Sequence, residues 1–198
     1  MDFQGSQLLK HPAQRVWDAL MDPAVLQQCI AGCEKFEHLG GSDYNSTVKV
    51  SIGPVAARFT SKLSLTDLVV PQSCSLNFSG QGGVAGFGKG VAKLKLTPAD
   101  GGQTQLDWTA QAQVGGKLAQ IGSRLVEGSV RKMSDDFFAR LTAYLDGQFK
   151  DADTGQGTSD ASNGSTALNA EPGGSRHWLW IAGAAIAVLA WALLVWGK

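Results

Sequence analysis

The chain has 198 residues, 43% of them apolar, with 17 basic and 17 acidic residues in balance. Residues 1–150 carry 15 Lys/Arg against 13 Asp/Glu and no basic stripe, so nothing offers nucleic acid an electrostatic footprint. The opening MDFQGSQLLKHPAQRVW places Asp2 early and lacks an apolar run, so it does not read as a signal peptide. The three cysteines, Cys29, Cys33 and Cys74, are then expected as reduced thiols.

Residues 2–10 read as a first strand. His11-Pro12 opens a helix whose apolar face is Val16, Trp17 and Leu20. Asp22-Pro23 restarts a second short helix, with Asp22 as N-cap, Val25, Leu26 and Ile30 apolar, and Ala31-Gly32 as the stop. From Glu34 to Val114 the period changes to two, with runs around Val48–Ile52, Phe59–Leu65, Cys74–Phe78, Val91–Thr97 and Thr104–Val114. Gly40-Gly41, Gly53-Pro54, Val70-Pro71 and Asp100-Gly101-Gly102 punctuate them, which predicts an antiparallel meander of about six strands.

Gly115-Gly116 ends the sheet, and Lys117 to Asp146 reads as one long amphipathic helix with Leu118, Ile121, Leu125, Met133, Phe137 and Leu141 on one stripe. Gly122, Ser123, Gly128 and Ser129 lie along it. They leave room either for close packing on the sheet or for a ligand beneath the helix. Asp151–Arg176 is rich in Gly, Ser, Thr, Asn and Asp, and as a flexible coil it would reach roughly 28 Å. Trp178 to Trp196 is an uncharged run, about 28 Å long as a helix, with tryptophans at both ends. The expected organisation is a folded domain at 1–147, a linker at 148–176 and a single transmembrane helix at 177–197. That helix acts as a tail anchor in the cell (inner) membrane, with the N-terminal domain cytoplasmic.

Two motifs invite chemistry and fail on context. Gly83 to Lys89 spells the front of a phosphate-binding loop, but Gly90 stands where Ser or Thr is needed, and VAKLKL after it is a strand pattern. Cys29-x3-Cys33 near His38 has poor spacing for zinc and no second ligand pair. Asp135-Asp136 point to different faces of a helix, and no catalytic constellation appears. No catalytic and no metal-binding residues are therefore assigned.

The order of strand, two short helices, meander and long helix resembles the helix-grip (START-like) α+β superfamily: a curved antiparallel sheet around a long C-terminal helix. Four stretches together resemble the CoxG family of carbon monoxide dehydrogenase: 12–34, 48–68, GGVAGFGKGVAKLKL at 82–96, and VGGKLAQIGSRLVEGSVRKMSDDFFARL at 114–141. Ala31 departs from the family's usual Pro before Gly32-Cys33. The resemblance implies a non-enzymatic protein that recruits a molybdenum-containing dehydrogenase of the carbon monoxide or aldehyde type to the membrane. It implies no covalent cofactor. The expected apolar cavity would suit a membrane lipid such as an isoprenoid (respiratory) quinone.

The alternation and the helical stripe nominate Val50, Ile52, Phe59, Leu65, Leu76, Phe78, Leu94, Trp108, Leu118, Ile121 and Leu125 as the ligand-binding lining. Phe87 among the glycines of 82–90 is nominated as a lid. A START-like enzyme on an apolar substrate would instead need converging polar groups, for which Tyr44, Arg58, Asp107 and Arg124 are the candidates. An assembly or maturation factor for the dehydrogenase would need no ligand.

Overall fold

In the computed structural model, residues 1–148 are described. Asp22-Pro23 works as its sequence suggests: the Asp22 carboxylate accepts from the Ala24 amide at 2.8 Å, and Pro23 takes the first helical position. This corner joins α1 (Ala13–Met21) to α2 (Pro23–Cys29), and the buried faces Val16-Trp17-Leu20 and Val25-Leu26-Cys29 share one core. Each fully buried Leu or Val there contributes about 1.5–3 kcal/mol.

The strands are β1 (Asp2–Leu9), β2 (Cys33–Gly40), β3 (Asp43–Ile52), β4 (Val55–Val69), β5 (Ser73–Gln81), β6 (Phe87–Ala99) and β7 (Gln103–Gly115). They form one antiparallel sheet in the order β1-β7-β6-β5-β4-β3-β2: a six-strand meander with the first strand returning to pair with the last. Tyr44, Ser46, Val48, Val50 and Ile52 are buried in alternation on β3, and Leu94 and Leu96 on β6 and Leu106 and Trp108 on β7 follow the same rule. The opposite face carries Lys62, Lys89, Lys93, Lys95, Asp107 and Gln111, all exposed. One face therefore meets water and one faces the helices.

The long helix expected from Lys117 to Asp146 is broken. A short α3 (Lys117–Gln120) stops at Ile121, Gly122 takes φ +87, and α4 (Ser123–Leu145) starts afresh. The left-handed angle at Gly122 cannot continue a helix. Restarting the helix rotates the stripe. Val126, Val130, Ser134, Phe137, Phe138, Leu141 and Leu145 are buried, while Leu125 is 51% exposed beside Gly53. Gly128 answers neither reading made for it, because it is solvent-exposed with no atom near its would-be Cβ.

Polar contacts fasten the C-terminal end of α4. Arg15 donates to the Leu145 carbonyl at 2.6 Å, His11 Nε2 lies 2.7 Å from Asp146 Oδ1, and Arg140 donates to the Gln28 carbonyl at 3.3 Å. The main backbone approaches of α4 are to α2, α1 and β3 rather than to the central strands.

Among the described residues no helix is long and apolar enough to cross a membrane. The expected span at 177–197, and the linker beyond Gln148, lie outside the described residues.

Two glycines give opposite expected outcomes in urea unfolding. Gly86 has φ +116, and a Cβ there would overlap the Gly115 carbonyl oxygen, so Gly86→Ala is expected to lose about 1–3 kcal/mol. Gly128→Ala, at an open helical position, is expected to gain up to about 1 kcal/mol. Equal effects at the two positions would contradict this backbone.

Candidate functional site: the concave face of the sheet

Cross-strand register places the inward residues in rows. One runs Tyr44–Leu63–Phe78–Gly90–Ala112, the next Leu65–Leu76–Ala92–Ala110, and the next Cys74–Leu94–Trp108–Gly5. The large rings do not stand up into the concavity alone. A Cβ at Gly5 would fall 2.5 Å from the Trp108 ring, one at Gly90 2.6 Å from Phe78, and one at Gly82 would run into Phe59. Each aromatic lies over a neighbouring glycine and paves the sheet, burying area while taking little height.

Of the residues nominated as lining, Val50, Ile52, Phe59, Leu65, Leu76, Phe78, Leu94, Trp108 and Leu118 are buried, the eight on strands on the concave side; Ile121 is partly buried at the helix break. Leu125 and Phe87 need correction. Leu125 turns outward because of the helix restart. Phe87 pairs with Gln81 and Gly115 in an outward-facing row, lies against Gly115 and is 42% exposed. The parity of β6 thus points Phe87 away from the interior. Residues 87–90 are strand rather than flexible loop, so the lid geometry expected for them is not present.

Sequence reasoning missed the polar members of this face. Ser46 and Ser61 are 2% and 0% exposed, Ser134 on α4 is 5% exposed, and their hydroxyls have no hydrogen-bond partner. Leaving a buried hydroxyl unpaired costs about 1–3 kcal/mol. The inward parity of Ser46 was readable from its place between Tyr44 and Val48, but nothing in a sequence tells whether a buried serine finds a partner.

The titratable candidates do not converge. Arg58 is exposed and grips Glu34 with two hydrogen bonds of 2.6 and 2.8 Å, holding that carboxyl below its ordinary range. Asp107 lies on the outer face beside Ser6, and Arg124 is exposed. Only Tyr44 faces inward, and burial raises its phenol pKa. His38 lies 4.7 Å from the Tyr44 ring at the sheet edge, with Nε2 3.0 Å from the Gly41 carbonyl. Among the described residues no group of three His, Cys, Asp or Glu is placed to hold a metal ion.

A recess of about 720 Å³ at the β4–β5 turn end of the sheet is bordered by Leu94, Leu96 and Trp108 from the inward rows. Lys93, Lys95, Asp107 and Thr109 of the outward rows border it too, so it is a mixed-polarity recess and not the apolar interior itself.

This architecture defines a helix-grip, START-like α+β protein. The chain belongs to the carbon monoxide dehydrogenase subunit (CoxG) family, whose sequence pattern matches residues 5–146. A conserved protein from Geobacillus kaustophilus superposes with a TM-score of 0.71 at 33% identity, over 75% of this chain and 97% of that one. The Zhui aromatase/cyclase from a Streptomyces species superposes at 0.58 with 14% identity, over 77% and 97%. A Thermus thermophilus protein also superposes at 0.58 with 14% identity, over 76% and 100%. These last two show a shared fold alone. No curated protein matches the chain.

Burial pushes the thiols of Cys29 and Cys74 up to about 12 and that of Cys33 to about 11. In the unfolded chain a thiol ionises near pH 8.5, so above that pH the unfolded state releases protons that the folded state keeps. Stability from these groups is complete below about pH 8.5 and is lost as pH rises toward 11–12; the raised Tyr44 phenol acts in the same direction above about pH 10. Urea midpoints should fall across that window, and less steeply in Cys29→Ala/Cys74→Ala. An unchanged slope in the double variant would assign the loss to other groups.

Proposed function

We propose that the domain is a binding and tethering module. It holds an apolar ligand, a respiratory quinone or another membrane lipid, against the concave face. It brings a molybdenum-containing, carbon monoxide dehydrogenase-type oxidase to the cytoplasmic face of the membrane. The observation that carries the ligand half is the continuous apolar lining, with Phe59, Phe78 and Trp108 laid flat over glycines where a helix spans the sheet. Such a surface selects by shape and apolar area rather than by charge. Family membership carries the partner half, since the family is named for that dehydrogenase. The uncharged run Trp178–Trp196 supports the tether.

The scatter of Arg58, Asp107 and Arg124 favours binding over acid–base turnover, which needs titratable groups within reach of one reacting atom.

Two measurements test this. The full chain should fractionate with membranes, and a chain lacking 177–198 should be soluble and folded; continued membrane association of the truncated chain removes the tether. Native mass spectrometry of the full chain from its own membranes should show a bound isoprenoid or lipid. An empty protein that captures an unmatured dehydrogenase would instead favour an assembly factor.

A further inference from the structure

The geometry points to a hydrogen-bonding subsite within the apolar face, built by Ser46 and Ser61, that recognises a carbonyl or hydroxyl oxygen of an otherwise apolar ligand. This rests on the apolar-ligand reading above and specifies which part of the ligand sits where.

Ser46 and Ser61 are directly opposite one another on β3 and β4. Both point to the concave side, because they share parity with the buried residues Tyr44, Val48, Phe59 and Leu63. Paired residues on one face bring their Cβ atoms to about 5 Å, so one ligand oxygen can meet both hydroxyls. Along the same row the next two strands present Gly80 and Gly88, both buried. This row therefore has two hydroxyls and then two positions with no side chain. The flanking rows carry Tyr44, Leu63 and Phe78 on one side and Val48 and Phe59 on the other. The result is a narrow polar bay in an apolar wall.

Two features argue against mere small-residue packing. Alanine would fill the same space without a polar atom, and both hydroxyls are left unpaired at nine-tenths burial or more. A serine hydroxyl can donate to a carbonyl oxygen or accept from a hydroxyl, and it carries no charge at any working pH. The bay therefore suits a neutral oxygen function and disfavours a carboxylate or phosphate, for which no cation stands in the row. On the helix side Ser134 interrupts the stripe between Val130 and Phe137 with a third unpaired hydroxyl. The facing element thus offers a second contact for a ligand with oxygens at both ends of a ring.

The test uses the full chain and two probes of matched tail: decylubiquinone, with ring carbonyls, and decylbenzene, with none. Binding is followed by thermophoresis. Wild type is expected to prefer decylubiquinone. Ser46→Ala/Ser61→Ala should weaken decylubiquinone by about tenfold or more while leaving decylbenzene within about twofold. Thermal unfolding should show the variant at least as stable as wild type, since the removed hydroxyls have no partners. Both probes bound by wild type with preference unchanged in the double variant would overturn the subsite and leave the apolar-ligand reading standing. Neither probe bound by wild type would overturn that reading and the subsite with it. A variant clearly less stable than wild type would show that the hydroxyls are satisfied internally and would also overturn the subsite.

Discussion

One helix has to cover the concave face of seven strands, and the rest of the structure follows from that constraint. At 1.5 Å per residue the 23 residues of α4 span about 34 Å, enough to cross the sheet once but not to blanket it. Its C-terminal end is fastened by Arg15, His11 and Arg140, and its N-terminal end leans on the β3–β4 turn through Leu125 and Gly53. A helix placed this way comes near β3 and the short helices and stays further from the central strands. Phe137, Phe138 and Leu141 reach inward from it. From below, aromatic rings folded over glycines keep the floor low. Close packing is then compatible with a surface that a flat or elongated molecule can use, because both walls are side chains and neither is backbone.

Much of this was legible in the sequence. Element order and strand number follow from alternation and from punctuation such as Gly53-Pro54, whose Gly53 takes φ +51 in the structure. Asp22-Pro23 stated the helix junction in two residues. What could not be read is phase. Gly122 looked like one more small residue in a helical stripe, but its left-handed backbone ends one helix and restarts another. The restart moves the inward position from Leu125 to Val126. Phe87 failed for a related reason. A glycine-rich run suggests a loop, yet β6 begins at Phe87, and strand parity then sends its ring outward. Periodicity fixes which residues share a face but not which face an isolated aromatic joins.

The resemblance of Gly83–Lys89 to a phosphate-binding loop also resolves into packing. Gly86 and Gly116 approach so closely that a Cβ on Gly116 would lie 2.5 Å from the Gly86 Cα. The turn at 83–85 bonds back on itself, with Gly82 N donating to Gly86 O at 2.8 Å. These glycines let one chain segment lie on another. Lys89 lies on the outer face of the sheet, and the strand that follows offers no helix N-terminus to an anion.

An interior this apolar nonetheless keeps some polarity, of a particular kind. Acid–base chemistry needs groups that change protonation near the working pH, and the inward face offers a buried tyrosine, whose phenol pKa is raised, and thiols held near 11–12. All of these stay neutral at pH 7. Serine hydroxyls are neutral as well, so the whole concave face is uncharged while still able to form hydrogen bonds. An uncharged wall admits a lipid from a membrane without asking it to shed or gain a charge. An oxygen contact can then fix how far and in which orientation the lipid enters. Apolar area alone would hold such a molecule at many depths with similar energy, since dispersion and hydrophobic burial lack direction. A directional contact from Ser46 and Ser61 would select one depth, which is what a protein presenting a ligand head group to a partner requires.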